Sequence, residues 1–271
     1  MIMEQYIANY IVCMLGYDDG INRVVAGLQN ISMGVGHIWT PTNLFNSKNS
    51  YALEPDETFG VLALSYTRYF KNSSSLNMVI SQKKDKSYKY AINYKLSLDT
   101  TDITLNMIKS NAIEMIGFSI EGDLGESGIE YRSEGAYINS GDNEFFQGIV
   151  GANYAFVNGI NLSLEALYSS KTFTYNQILA TLNTPIGTSM KNSNLYIGAI
   201  ISYNFNIYLS SALIYIESIE DKNSRFISPS LTYTINDNNS LSIGAIIYNG
   251  SSDSEFGILD NSYYIKYMLS F

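Results

Sequence analysis

The chain has 271 residues, of which 46% are hydrophobic and only 15% charged, with 23 Tyr and 12 Phe against one Trp and 4 Pro. Charge that sparse lies below the roughly 25% of an ordinary soluble domain, and a net charge of −9 opposes nucleic-acid binding, which gathers Lys and Arg on one face. A single His and a single Cys exclude an internal disulfide and the common zinc clusters, so neither a metal nor a cofactor is expected.

The start, Met1 to Gln5, lacks a basic leader, and no small-residue cleavage site follows the apolar stretch Tyr6–Gly16. That stretch is too short for a spanning helix, which needs about 20 apolar residues. It reads instead as a less certain strand over 5–15, turning at Asp18-Asp19-Gly20. From residue 22 onward two-residue alternation dominates, the mark of strands with two unlike faces. In chain order, Tyr88, Tyr90, Ile92, Tyr94 and Leu96 alternate with Lys89, Ala91, Asn93 and Lys95. Ile160, Leu162, Leu164, Ala166 and Tyr168 alternate with Asn161, Ser163, Glu165 and Leu167. The same holds over 195–205 and 241–248. The last segment sets Tyr263, Ile265, Tyr267, Leu269 and Phe271 against Tyr264, Lys266, Met268 and Ser270.

These segments match the roughly 9–11 residues of a tilted membrane strand better than the usual 5–6 of soluble sheets. Tyr and Phe gather near their ends (Tyr154, Phe156, Tyr168, Tyr203, Phe205, Tyr233), as aromatic girdles do. The expectation is an all-β fold, a single transmembrane antiparallel up-and-down barrel over 1–271. About 14–16 strands are visible, roughly fourteen of them from residue 22. Bacterial barrels normally have an even strand number with both ends periplasmic. At least one strand is therefore expected before Met1, giving about 16 or 18 in the intact protein, a size that leaves an aqueous channel. Short turns at Lys71–Ser73, Asp99–Thr101, Val157–Gly159, Asn204–Asn206 and Asp237–Asn239 are expected at the periplasmic end, with a longer turn at 121–127. Longer connections at about 38–57, 170–192, 217–224 and 249–261 are expected outside, with a short turn near Asn111. In 170–192, Tyr175, Ile178, Leu179 and Leu182 have helical spacing, which fits a short helix in the mouth or a lid lying on it.

Two segments carry a resemblance. The last strand, ending in Phe271 behind Tyr263, Ile265, Tyr267 and Leu269, resembles the C-terminal β-signal of outer-membrane proteins. Gly27-Leu28-Gln29-Asn30-Ile31-Ser32-Met33-Gly34-Val35-Gly36, followed by Trp39-Thr40-Pro41-Thr42-Asn43-Leu44-Phe45-Asn46, is similar to a strand-then-loop motif of porin-like barrels. Leu28 stands where that family usually has Arg, Met33 where it has Trp, and Asn43 where Asp is common. The resemblance implies strands upstream of the motif, outer-membrane lipid around the chain, small solutes or ions inside it, and the barrel assembly machinery acting through the C-terminal strand. Porins are often trimeric, so a homotrimer is a possible assembly. Within the loop, Pro41 fixes φ and removes a donor, Asn43 can cap or turn the chain, and Trp39, Leu44 and Phe45 offer anchors. A pore constriction and an external loop fixed for stability are both open.

The polar faces place Lys89, Lys95, Glu130, Arg132, Glu134, Glu165 and Lys266 toward the lumen. Rings of charge select ions by sign, and the acidic excess predicts a weak cation preference; pairing of these charges across the wall is the alternative. His37 has no Ser–carboxylate neighbourhood of the triad kind, so the chain is read as non-enzymatic. The function expected is passive diffusion of small polar solutes or ions. A secretion or autotransporter-type barrel, or a structural or adhesive one, is the alternative.

Overall fold

The computed structural model describes residues 15–45, 60–82, 86–141, 143–181, 189–220 and 224–269. They hold a 15-stranded sheet in which each strand pairs with its neighbours in the chain. Its first half comprises β1 (Leu15–Asp18), β2 (Asn22–Gln29), β3 (Val61–Tyr69), β4 (Ser75–Gln82), β5 (Tyr88–Leu98), β6 (Thr101–Ser110) and β7 (Glu114–Asp123). The second half comprises β8 (Ile129–Ser140), β9 (Asn143–Ala155), β10 (Ile160–Ser169), β11 (Leu195–Asn204), β12 (Leu209–Ser218), β13 (Ser224–Asn236), β14 (Asn239–Asn249) and β15 (Ser262–Leu269). All pairings are antiparallel, so the topology is the up-and-down one. No pairing joins β1 to β15 among the described residues.

The alternation sets the two faces. Leu105, Met107, Ile116, Val150, Leu164, Ile197 and Ile243 point outward and are 40% to 62% exposed, an apolar band far larger than a soluble surface tolerates. Aromatic residues flank it at both ends. Tyr88, Tyr90, Tyr137, Phe146 and Tyr168 lie toward one end, and Tyr154, Phe156, Tyr203, Phe205 and Tyr233 toward the other. In the second belt Tyr154–Phe156 and Tyr203–Phe205 stack edge to face, with ring centroids 4.7 and 4.9 Å apart. This is the banded exterior of a transmembrane barrel. A charge placed in the band loses its hydration with nothing in return. Val150→Arg is therefore expected to lower folding stability in lipid by about 2–4 kcal/mol, read as a lower urea midpoint of the heat-modifiable gel shift; an unchanged midpoint would place β9 elsewhere.

The second belt lies at the end where all the connections are short. There the β1–β2 turn falls at 19–21, one residue later than expected. The Asp19 carboxylate accepts from the Asn22 and Ile21 amides at 2.6 and 2.9 Å, which holds its pKa below the usual carboxylate range. The turn expected at 121–127 is the 3-10 turn Gly125–Ser127, closed by Gly128 in the left-handed region at φ 72°. The opposite end carries the long connections, 30–60, 170–194 and 250–261. The expected helix is Tyr175–Thr181 (α1), whose Ile178 packs onto the apolar interior; Leu182 lies outside the described residues. Of the strand expected over 5–15 only Leu15 is described, and Phe271 likewise lies outside.

One strand differs from expectation. β2 stops at Gln29, and the motif residues from Asn30 on leave the wall. The Gln29 side chain closes this end: its Nε2 donates to the Val25 and Ala63 carbonyls, and its Oε1 accepts from the Ser65 hydroxyl. Up to Leu28 the outward residues Val24, Ala26 and Leu28 are apolar. Past the break the apolar set is Ile31, Met33 and Val35, on the other parity, and Ile31 and Met33 pack against the inside of the sheet.

Candidate functional site

Residues 30–45 form a segment folded into the barrel, and three charged side chains of the wall hold it there. Glu134 on β8 is 1% exposed. It accepts the Thr42 amide and hydroxyl at 2.6 and 2.7 Å, and the Val35 and Gly36 amides at 2.8 and 3.3 Å. Glu165 on β10 accepts three consecutive amides, His37, Ile38 and Trp39, at 2.5, 2.9 and 3.2 Å. Consecutive N–H groups converging on an anion make a nest; here the anion belongs to the wall. Arg132 sits beside Glu165, its Nη1 3.3 Å from Oε1. Lys89 on β5 donates to the Leu44 carbonyl at 2.6 Å, with its ammonium 4.7 Å from the Phe45 ring centroid. A carboxylate taken from water needs this many donors to remain charged at little cost.

The wall is notched to receive the segment. Gly117, Gly151 and Gly198 face inward on β7, β9 and β11. A Cβ at Gly117 would come 2.6 Å from Thr42 Cγ2 and one at Gly198 2.5 Å from Ile38 Cδ1, both in the segment; at Gly151 it would meet Glu165 Cγ at 2.7 Å, the side chain that holds the segment. Gly34 takes φ +123° directly over the Glu134 carboxylate, where a side chain has neither conformation nor room. Pro41, Thr42, Asn43 and Leu44 are buried, Asn43 Nδ2 reaches Ser32 Oγ at 3.4 Å, and the Trp39 ring packs beside Tyr196, centroids 6.1 Å apart.

Of the charges assigned to the lumen, Lys89, Arg132, Glu134 and Glu165 do face inward but are covered by this segment. Glu130 and Lys95 remain in contact with open space. Lys95 bridges Asp102 at 2.6 Å and Glu121 at 3.7 Å, and Glu130 accepts from Asn153 Nδ2 at 3.2 Å. Lys266 faces the polar side of β15 opposite Ser242, at the far edge of the sheet. Tyr263, Ile265, Tyr267 and Leu269 all face outward, 79%, 78%, 59% and 47% exposed. Beneath the segment, toward the short-turn end, lies an open cavity of about 430 Å³. Asp99, Asp102, Glu121, Asp123 and Glu130 line it together with His37 and Arg132. His37 Nδ1 sits 3.3 Å from Ser163 Oγ on β10.

The long-loop half of the interior is apolar. One cluster joins Met33 and Leu44 to Ile138, Phe145, Phe173 and Met190; the other joins Ile38 and Trp39 to Tyr196, Phe226 and Phe256. The 170–194 and 250–261 loops meet there. The Tyr196 hydroxyl donates to Glu255 at 2.5 Å and accepts the Ser193 amide at 2.9 Å. Nearby Lys191 is buried, which pushes its ammonium down to about 8 against the opposing pull of Glu255. Asp102, Thr42 as a donor, and the three inward glycines are not singled out by the sequence. The available signal was glycine and carboxylate on inward parity.

No family model and no curated protein sequence matches the chain. Solved structures do resemble its fold. Acinetobacter baumannii OccAB1 superposes with a TM-score of 0.65 at 11% identity over 94% of this chain and 75% of that one. Pseudomonas aeruginosa OccK10 (OpdN) gives 0.62 at 10% identity over 93% and 81%. P. aeruginosa OpdK, solved with vanillate, gives 0.56 at 9% identity over 94% and 77%. The fold is that of outer-membrane porin barrels.

Proposed function

We propose that this protein is an outer-membrane, non-enzymatic channel through which small polar solutes and ions diffuse passively, with a weak preference for cations. The inward segment 30–45 carries the reading. A barrel serving only as a scaffold has no need of a loop held at mid-lumen by wall carboxylates, whereas a channel uses one to set its width. The fold shared with Occ and Opd channels supports the same conclusion. The cation preference follows from the cavity beside the segment, where five carboxylates face Arg132 and His37, with Lys95 bonded to two of the five. A surplus of negative charge in a narrow polar passage attracts cations and excludes anions.

Refolded protein in a planar bilayer is expected to give discrete current steps. Under a KCl gradient the reversal potential is expected on the cation side, moving toward zero in Glu121→Gln/Glu130→Gln. The two packed apolar clusters keep the steps small. A heat-modifiable, folded barrel that passes no current would sink the channel reading and favour a secretory, adhesive or structural barrel.

A further inference from the structure

A second cavity, about 500 Å³, opens between β2–β5 and the underside of the inward segment. Its wall differs from the acidic one. The strand registers place Arg23, Thr67, Asn77, Asn93 and Asn106 on one inward rung across β2 to β6. Adjacent strands lie about 4.8 Å apart, so the rung runs for roughly 19 Å across the wall. Its side chains bond in pairs: Asn77 Nδ2 donates to Thr67 Oγ1 at 2.7 Å, and Asn93 Nδ2 donates to Asn106 Oδ1 at 2.6 Å. These pairs fix the amides while leaving the carbonyl oxygens of Asn77 and Asn93 for other partners. Asn106 is 0% exposed, and its Nδ2 has no hydrogen-bond partner among the described residues. Asn106 closes the rung behind Asn93 and does not itself line the cavity.

We propose that this rung is a binding track for uncharged polyhydroxylated solutes of mono- to disaccharide size. The inference rests on the channel reading and names its substrate class. A cation on this wall would lose hydration without gaining a counter-charge, since the rung's only charged member is Arg23. An anion would be opposed by the carboxylates of the neighbouring cavity. A hydroxylated solute exchanges its water hydrogen bonds one for one, each hydroxyl both giving and accepting. Amides repeated across adjacent strands let such a solute step from one pair to the next without a deep well, as conduction requires. Arg23, at the end of the rung, serves as a further donor to hydroxyl or ring oxygens.

The test is liposome swelling with sorbitol and, size-matched but charged, gluconate and glucosamine. Potassium conductance is recorded on the same protein. Sorbitol is expected to enter several-fold faster than either charged probe. Asn77→Leu/Asn93→Leu, which keeps the branching of the side chain and removes its polar atoms, is expected to abolish that advantage while conductance and heat-modifiable migration stay near wild type. Asn93→Asp, a milder change, is expected to favour glucosamine over sorbitol. Conductance with no sorbitol advantage in the wild type, or an advantage both variants keep, would overturn the track and leave the channel standing. Absence of conductance would instead remove the channel. Saturation-transfer NMR of sorbitol on the refolded protein then reads the rung directly: no transfer overturns the track, and transfer lost in the double variant upholds the rung as a binding site.

Discussion

Glu134→Leu/Glu165→Leu is expected to release residues 30–45 from the wall, raising single-channel conductance several-fold and shifting the fluorescence of Trp39, the chain's one tryptophan, to longer wavelength. Six amides lose their acceptor at once, those of Val35, Gly36, His37, Ile38, Trp39 and Thr42, while the Thr42 hydroxyl keeps the Met33 carbonyl at 3.1 Å. At about 1–3 kcal/mol for each buried donor left unmet, the segment prefers water. Arg132 is stranded beside the former Glu165 as well, and losing one member of a buried pair costs about 3–5 kcal/mol. Against this stands the burial of Ile38, Trp39, Leu44 and Met33, about 1.5–3 kcal/mol apiece. The polar loss exceeds that gain, so the segment leaves. Glu134→Gln/Glu165→Gln keeps an acceptor oxygen at each site and is expected to show an intermediate conductance. Wild-type conductance and emission in the Leu variant would mean that the carboxylates do not hold the segment.

The wall was legible in the sequence because a membrane strand declares both faces. Tyr90, Ile92 and Tyr94 against Lys89, Ala91 and Asn93 name the lipid side and the lumen side without reference to any other strand. The turns were legible for the same reason: where the alternation stops, Asn, Asp, Gly and Ser take over, and the connection lengths at the two ends differ. Inward parity gives direction only. It put Glu134 and Glu165 inside the barrel but not what covers them, since their partners lie 92 and 127 residues away. All but the Thr42 hydroxyl of those partners are backbone amides, which leave no trace in side-chain type. The end of β2 was missed for a related reason. Ile31-Ser32-Met33-Gly34-Val35 keeps the two-residue period of a strand while its apolar set changes parity. That change is the sign that the apolar side chains now meet the inside of the sheet instead of lipid. Gly117 and Gly198 read as ordinary strand glycines until the segment that fills their notches is in place.

Gly198→Val tests the same seat without touching a hydrogen bond. The new Cβ would start 2.5 Å from Ile38 Cδ1 and 3.0 Å from Trp39 Cη2, and overpacking of that kind costs about 1–3 kcal/mol. Two sides share the clash, and they are not equally able to give. β11 is registered on both flanks, with Gly198 opposite Glu165 and Ile216, and valine suits a strand better than glycine does. The segment is held at this point by the Glu165 carboxylate and lies in no strand pairing among the described residues. It therefore moves, and the barrel does not. The expected result is unchanged heat-modifiable migration, a red-shifted Trp39 emission and a conductance raised by less than in the double carboxylate variant, since both carboxylates remain and the six amides can re-form part of their bonds. Gly244→Val, on the same inward face, has the Tyr264 ring as its nearest neighbour and is expected to leave emission unchanged. Equal emission in all three proteins would show that Trp39 does not lie against β11, and with it would go the placement of the segment at mid-lumen.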